Sequence, residues 1–150
     1  MWRRILFFMF LTTGIGASGY LTYTHYMAVE PQCYGIGDCA LVQASSYARI
    51  FGIPISLLGL LAYIAIWALA VGAFWVLPST KAFLALQAAF GLALAGTLYS
   101  AYLTAIEAFV LHAYCIYCII SAISITGLCV MLGLEIWKPS TVEEEHHATH

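Results

Sequence analysis

Tyr114-Cys115-Ile116-Tyr117-Cys118-Ile119-Ile120-Ser121-Ala122 opens a run that stays apolar to about Trp137, with Glu135 its one charged side chain. A bilayer core of about 30 Å needs roughly 20 helical residues, and this run supplies them. Every face of it is apolar, so periodicity cannot separate helix from strand. Length can, because a membrane strand needs only about 9–11 residues and alternates in polarity. Working outward, three more stretches meet the same test: about Ile5 to Ala28, Ile53 to Leu77 and Ala82 to Ile106. The expected fold is an all-α integral membrane protein, one four-helix domain over residues 1–150. Its helices run at about 5–28, 53–77, 82–106 and 114–137.

Composition agrees. Of 150 residues, 63% are hydrophobic and only 8% charged, where a soluble domain carries about 25% charged residues. The net charge of −2, with no basic patch, gives no electrostatic case for nucleic acid. Pro78-Ser79-Thr80-Lys81 breaks the second span from the third, beginning with a residue that cannot continue a helix. A short segment around Glu107 and His112 separates the third from the fourth. Only the first connection, Val29 to Gly52, is long, and a loop of that length is functional or disordered.

Lysine and arginine orient the spans. Arg3, Arg4, Lys81 and Lys138 all fall on one side of a four-span chain, with Arg49 the exception. Both termini are therefore expected in the cytoplasm, and the 29–52 loop and the Glu107–His112 turn outside. A cleaved signal peptide ending near Ala17 is the competing reading of the N-terminus. The apolar stretch runs on through Tyr20 and Tyr23, past the 7–15 residues of a signal core. The acidic, histidine-containing stretch 138–150 reads as a solvated cytoplasmic tail.

On this topology Cys33, Cys39, Cys115 and Cys118 share the oxidising side, where disulfides persist. Cys129 lies deeper in the last span and reads as a packing residue. C-I-Y-C places Cys115 and Cys118 on one helix face at an N-terminus, where the helix dipole favours a thiolate. Gly35 and Gly37 give the C-Y-G-I-G-D-C segment the freedom to close a small disulfide ring and reopen it. Three readings compete. Two static disulfides would brace the loop, although a C-x-x-C ring adds little loop-closure stabilisation. Four thiolates would hold a structural zinc, with C-x-x-C a good half-site and C-x5-C a loose one. Or one pair relays electrons to the other, and on to a carrier dissolved in the lipid. A transporter or scaffold with incidental cysteines is the alternative of a different class. Intramembrane charges mark transport paths, and the expected spans hold essentially none besides Glu135.

The order and spacing of these residues resemble the vitamin K epoxide reductase family in its bacterial form. Cys33 and Cys39 in the first loop, Ser45 six residues after Cys39, the F-G-I-P-I-S-L-L-G run from Phe51 to Gly59, and Cys115-Ile116-Tyr117-Cys118 carry the resemblance. It covers most of the chain. It implies a four-helix bundle around a quinone (ubiquinone, menaquinone or vitamin K type) in a bacterial plasma or inner membrane, with no metal cofactor. Cys118 would adjoin the quinone, Cys115 would exchange disulfides with Cys39, and Cys33 would meet a thioredoxin-fold partner, expected as a separate protein because the chain ends after its fourth span. Ser45 resembles the family's loop hydroxyl, a candidate donor to a quinone oxygen; its alternative is a serine satisfied by backbone. Phe51, with Tyr114, Tyr117 and Trp67, is a candidate to line the apolar pocket, ordinary packing being the alternative.

The animal enzymes carry a tyrosine four residues after the second cysteine of C-x-x-C, where this chain has Ala122. That departure favours quinone reduction over reduction of vitamin K epoxide. The disulfide-bond B type of quinone-coupled thiol oxidase would run the same overall reaction. Its C-x-x-C lies in the first loop, so the order of pairs is the reverse of the order here.

Overall fold

The computed structural model describes residues 2–137. Four of its helices are long and apolar enough to cross a membrane, as the hydropathy pattern requires. Helix α1 spans Trp2–Tyr26. A short helix, α2, spans Cys39–Ala44 inside the long loop. Helix α3 spans Ile55–Val71 and winds on through a π turn at Gly72–Val76. Helix α4 spans Ser79–Ile106 and likewise ends in a π turn, Glu107–Leu111. Helix α5 spans Ile116–Ile136. The tail expected over 138–150, with Lys138, lies outside the described residues.

The four long helices form a ring in which α5 packs against α1 and α4, and α3 closes the other side between them. Lipid is as apolar as leucine, so close packing and buried hydrogen bonds hold such a bundle together. The core is built that way. Phe7 and Leu11 of α1, Tyr63, Ile66 and Ala70 of α3, Ala89 and Ala93 of α4, and Ile125, Leu128, Cys129 and Leu132 of α5 form one buried cluster. Cys129 is thus a packing residue, as expected. Tyr63 reaches the centre because Gly14 has no side chain there, and a Cβ on Gly14 would collide with the Tyr63 ring. The Tyr63 hydroxyl donates to the Ser121 carbonyl at 2.7 Å. Outward-facing Leu61, Ile64 and Trp67 are exposed in the isolated chain, where a bilayer would cover them.

The long connection is ordered by local chemistry. Asp38 caps α2, its Oδ1 accepting from Leu41 N at 2.9 Å, the usual task of an N-cap aspartate. A single 3₁₀ turn, Ser46–Ala48, leads into a small antiparallel hairpin of β1 (Arg49–Ile50) and β2 (Ile53–Pro54). Its two-residue turn is Phe51-Gly52, with φ of 51° and 82°. Two left-handed residues in succession are what a type I′ hairpin turn needs.

The boundary at Ile106 is corrected by the structure. Helix α4 does not stop there but continues through the π turn to Leu111, where His112 at φ 49° ends it. Glu107, expected in an outward-facing turn, is therefore part of the spanning helix and only 3% exposed. The spans hold a charge-bearing side chain that hydropathy alone assigned to a loop.

Candidate functional site

The segment Cys33–Cys39 is pinned onto the start of α5. Gly37 pairs with Cys115 as an isolated antiparallel bridge, and Asp38 N donates to Tyr114 O at 3.0 Å. Gly37 has φ 81° and sits so close to the Tyr114 carbonyl that a Cβ would collide with it. Gly35, at φ 76°, and Tyr34, at φ 51°, shape the turn before it. The glycines thus permit a close, fixed approach, where the sequence pointed to mobility.

This docking brings the four cysteines into one cluster. Cys39 and Cys115 are both buried, packed with Leu21, Val42 and Ala113, and Cys33 and Cys118 pack against them half-buried. Cys33 and Cys39 are joined as a disulfide, with their Cα atoms 6.0 Å apart. Cys115 and Cys118 are free thiols. Cys115 is the N-cap of α5, and its Sγ accepts from Cys118 N at 3.4 Å. It stands just before the membrane-spanning helix. The hydrogen bond from the Cys118 side chain holds the Cys115 thiol below its ordinary pKa, outweighing its burial.

Below the cluster lies a cavity of about 420 Å³ between α1, α3, α4 and α5, roofed by the long loop. Small ligands occupy cavities of this order. Its walls are largely aliphatic, from residues such as Leu58, Leu92, Leu103 and Ile125, and its polar edge includes Cys118, Glu107, Ser45 and Ser56. The floor carries a hydrogen-bonded knot: Tyr63 Oη lies 3.1 Å from Ser121 Oγ, which lies 3.5 Å from Ser18 Oγ.

Two features of the wall were not singled out from the sequence. Ser56 Oγ is buried and has no hydrogen-bond partner within the described residues. A buried hydroxyl left unpaired costs about 1–3 kcal/mol, so such a group asks for an explanation. Glu107 reaches back across the end of α4, and its Oε2 accepts from Cys115 N at 3.1 Å. Its carboxyl also interacts with the Cys118 side chain. The signal for Glu107 was an acidic residue eight positions ahead of Cys115 in an otherwise oily stretch. The signal for Ser56 was one hydroxyl in the first turn of an apolar span.

Of the residues named as pocket contacts, Ser45 does line the cavity, while its hydroxyl donates to Val42 O at 2.7 Å. Phe51 does not line it. It is 100% exposed at the tip of the hairpin, because the left-handed turn points the chain away from the bundle. Trp67 and Tyr114 are exposed, and neither they nor Tyr117 reach the cavity. Tyr117 lies about 100° round the helix from Cys118. Its ring packs on Tyr20 at 4.8 Å and its hydroxyl donates to Gln32 O at 3.2 Å. These aromatics tie the loop to the bundle or face outward. Among the described residues, no three histidine, cysteine, aspartate or glutamate side chains converge as metal ligands would.

Comparison with protein families places this arrangement in context. The model of the vitamin K epoxide reductase family matches residues 5–132, from the first span through most of the last.

Proposed function

Since the chain belongs to the vitamin K epoxide reductase family and is a membrane redox enzyme, we propose that it forms disulfides by passing electrons from a thioredoxin-fold thiol protein to a membrane quinone. The observation that carries this reading is the position of Cys118. It packs with the cluster holding the other three cysteines and also lines the apolar cavity. A thiol in both places can receive electrons on one side and release them on the other.

In the proposed cycle the partner's dithiol attacks the Cys33–Cys39 disulfide, leaving the partner oxidised and the loop pair reduced. Cys39, as thiolate, then attacks Cys115 of a closed Cys115–Cys118 disulfide, and Cys118 leaves as thiolate and takes up a proton released as the loop pair reoxidises. Cys33 closes on Cys39 and frees Cys115. The inner dithiol finally loses two electrons and two protons to the quinone and closes again, giving a quinol. Each exchange is attack by a thiolate on a disulfide sulfur, and its direction follows the relative potentials.

The cavity fits a quinone head. Its walls are apolar, and Ser56 Oγ is an unpaired donor that a ring carbonyl would satisfy. Ser45 also lines the cavity, although its proton is already directed to Val42 O. Bound there, the quinone supplies the two-electron sink. The protein's part is to hold Cys118 at the cavity edge and exclude water. The loop end of the bundle would face the outside of a bacterial plasma membrane, with the termini in the cytoplasm, following the lysine and arginine bias.

The direct test is quinone reduction by the purified protein with a reduced thioredoxin-fold donor. Turnover is expected from the native protein and its loss from Cys118→Ala. Full turnover in Cys118→Ala would remove the assigned role.

A further inference from the structure

The relay as proposed moves electrons through four sulfurs, but the protons need a path of their own. When the inner dithiol closes, the Cys118 thiol must lose a proton beside an apolar cavity, and the substrate oxygen must gain one there. Water is a poor carrier inside such walls. Glu107 is the carboxyl among the residues lining that cavity. It is 3% exposed, within a span where charge is costly and marks function by default.

Its position is built by the backbone. The π turn Glu107–Leu111 shifts the register at the end of α4, and such turns recur at functional sites. The same chain reversal, ended by His112 at φ 49°, brings Cys115 N to Glu107 Oε2 at 3.1 Å. The carboxyl therefore accepts from the amide of one inner cysteine at 3.1 Å and lines the cavity that the other, Cys118, also lines. Among the described residues no cation pairs with Glu107 to make it a simple structural ion pair, and the bridge found there joins Arg3 and Glu135 at the opposite end of the bundle.

Resting on the quinone-reducing function above, we propose that Glu107 is the proton carrier of the inner dithiol. As carboxylate it takes the proton of Cys118 when that sulfur becomes the reacting thiolate. As carboxylic acid it returns the same proton to the substrate oxygen on the cavity side. No proton is made or lost at Glu107 over a cycle. The dithiol loses two electrons and two protons, the quinone gains them, and Glu107 conveys one of the protons.

The test compares native protein, Glu107→Gln and Glu107→Asp in the quinone-reduction assay, with the redox state of each cysteine mapped by thiol trapping. Glutamine keeps the acceptor for Cys115 N but cannot carry a proton. Positioned proton transfer contributes about 10²-fold or more, so Glu107→Gln is expected to slow quinone reduction by that order. Exchange between the loop pair and the inner pair should continue, so the inner dithiol accumulates reduced. Glu107→Asp, which keeps a titratable group, should recover part of the rate. Turnover of Glu107→Gln within about twofold of native overturns the proposal, as do equal losses in both variants, which would assign Glu107 to positioning alone. Should Glu107→Gln not fold, reoxidation of the inner dithiol in native protein decides: it is expected to slow in deuterated water, and an unchanged rate overturns the proposal. Failure of the quinone-reducing function would show differently, as native protein that reduces no quinone.

Discussion

Asp38 N donates to Tyr114 O at 3.0 Å, and that bond, with the Gly37–Cys115 bridge beside it, fastens the loop disulfide over the start of α5. A chain segment between two redox pairs has to meet a narrow distance requirement, since thiol exchange needs sulfur-to-sulfur contact. Backbone pairing meets it without depending on any one side chain.

Gly37 is the residue on which this fastening depends. It has φ 81°, and a Cβ there would meet the Tyr114 carbonyl. Gly37→Ala should therefore lift the segment from α5, at a cost of more than about 1 kcal/mol from the backbone conformation alone. The expected outcome is selective. A reduced partner should still open Cys33–Cys39, while transfer to Cys115–Cys118 slows. Trapping with a thiol-specific reagent would show the loop pair reduced and the inner pair oxidised. Unchanged transfer would mean the bridge is dispensable.

Ser56 and Ser45 both line the cavity but differ in what their hydroxyls do. Ser56 Oγ is unpaired and Ser45 Oγ donates to Val42 O at 2.7 Å. Ser56→Ala removes a buried group with no partner, so stability should stay level or rise by about 1 kcal/mol, while KM for quinone rises. Ser45→Ala should instead cost about 0.5–1.5 kcal/mol through the lost hydrogen bond, with a smaller change in KM. Thermal unfolding in detergent alongside quinone titration checks both. The reverse ranking in KM would give the substrate contact to Ser45.

The contrast between these serines shows what was legible in the sequence. The four spans were readable because apolar length is a property of composition along the chain. Helix α4 ran past its expected end because a π turn depends on how the backbone winds, and Glu107 in an apolar run resembles a turn residue. Phe51 was misplaced for a related reason. Aromatic identity says that a residue can pack, while the left-handed Phe51-Gly52 turn decides where it points, and few phenylalanines adopt such a φ. The four cysteines were legible as pairs, but their gathering rests on Gly37, whose close approach to Tyr114 looks in sequence like flexibility.

Gly14 and Tyr63 test whether the cavity floor is built as a unit. The Tyr63 ring fills the space left by Gly14, and its hydroxyl donates to Ser121 O at 2.7 Å. Tyr63→Phe should cost about 0.6 kcal/mol, the average for a hydrogen bond between membrane helices. Gly14→Ala should cost more, about 1–3 kcal/mol, because it forces the ring to move. Combining the two should cost less than the sum if the displaced ring loses the same hydrogen bond in both. Strict additivity, measured by unfolding in detergent, would show the two features to be independent.

Cys115 gives the pH dependence. The Cys118 side chain hydrogen-bonds to it and holds its pKa below the ordinary thiol value, which is about 8.5. Its thiolate is present above the lowered value and is lost as pH falls through it. In protein with Cys33–Cys39 closed and Cys129 replaced by alanine, ultraviolet thiolate absorbance should show this ionisation below the usual thiol range. Cys118→Ala removes the donor, so the midpoint should move upward. Cys118→Ser restores an O–H donor and should bring the midpoint back down. A midpoint that ignores both substitutions would trace the lowering to the α5 N-terminus, where Cys118 N approaches Cys115 Sγ at 3.4 Å whichever side chain follows. The paired behaviour matters for the relay, because a thiolate at Cys115 leaves the proton on Cys118, on the side of the pair where Glu107 and the cavity can receive it.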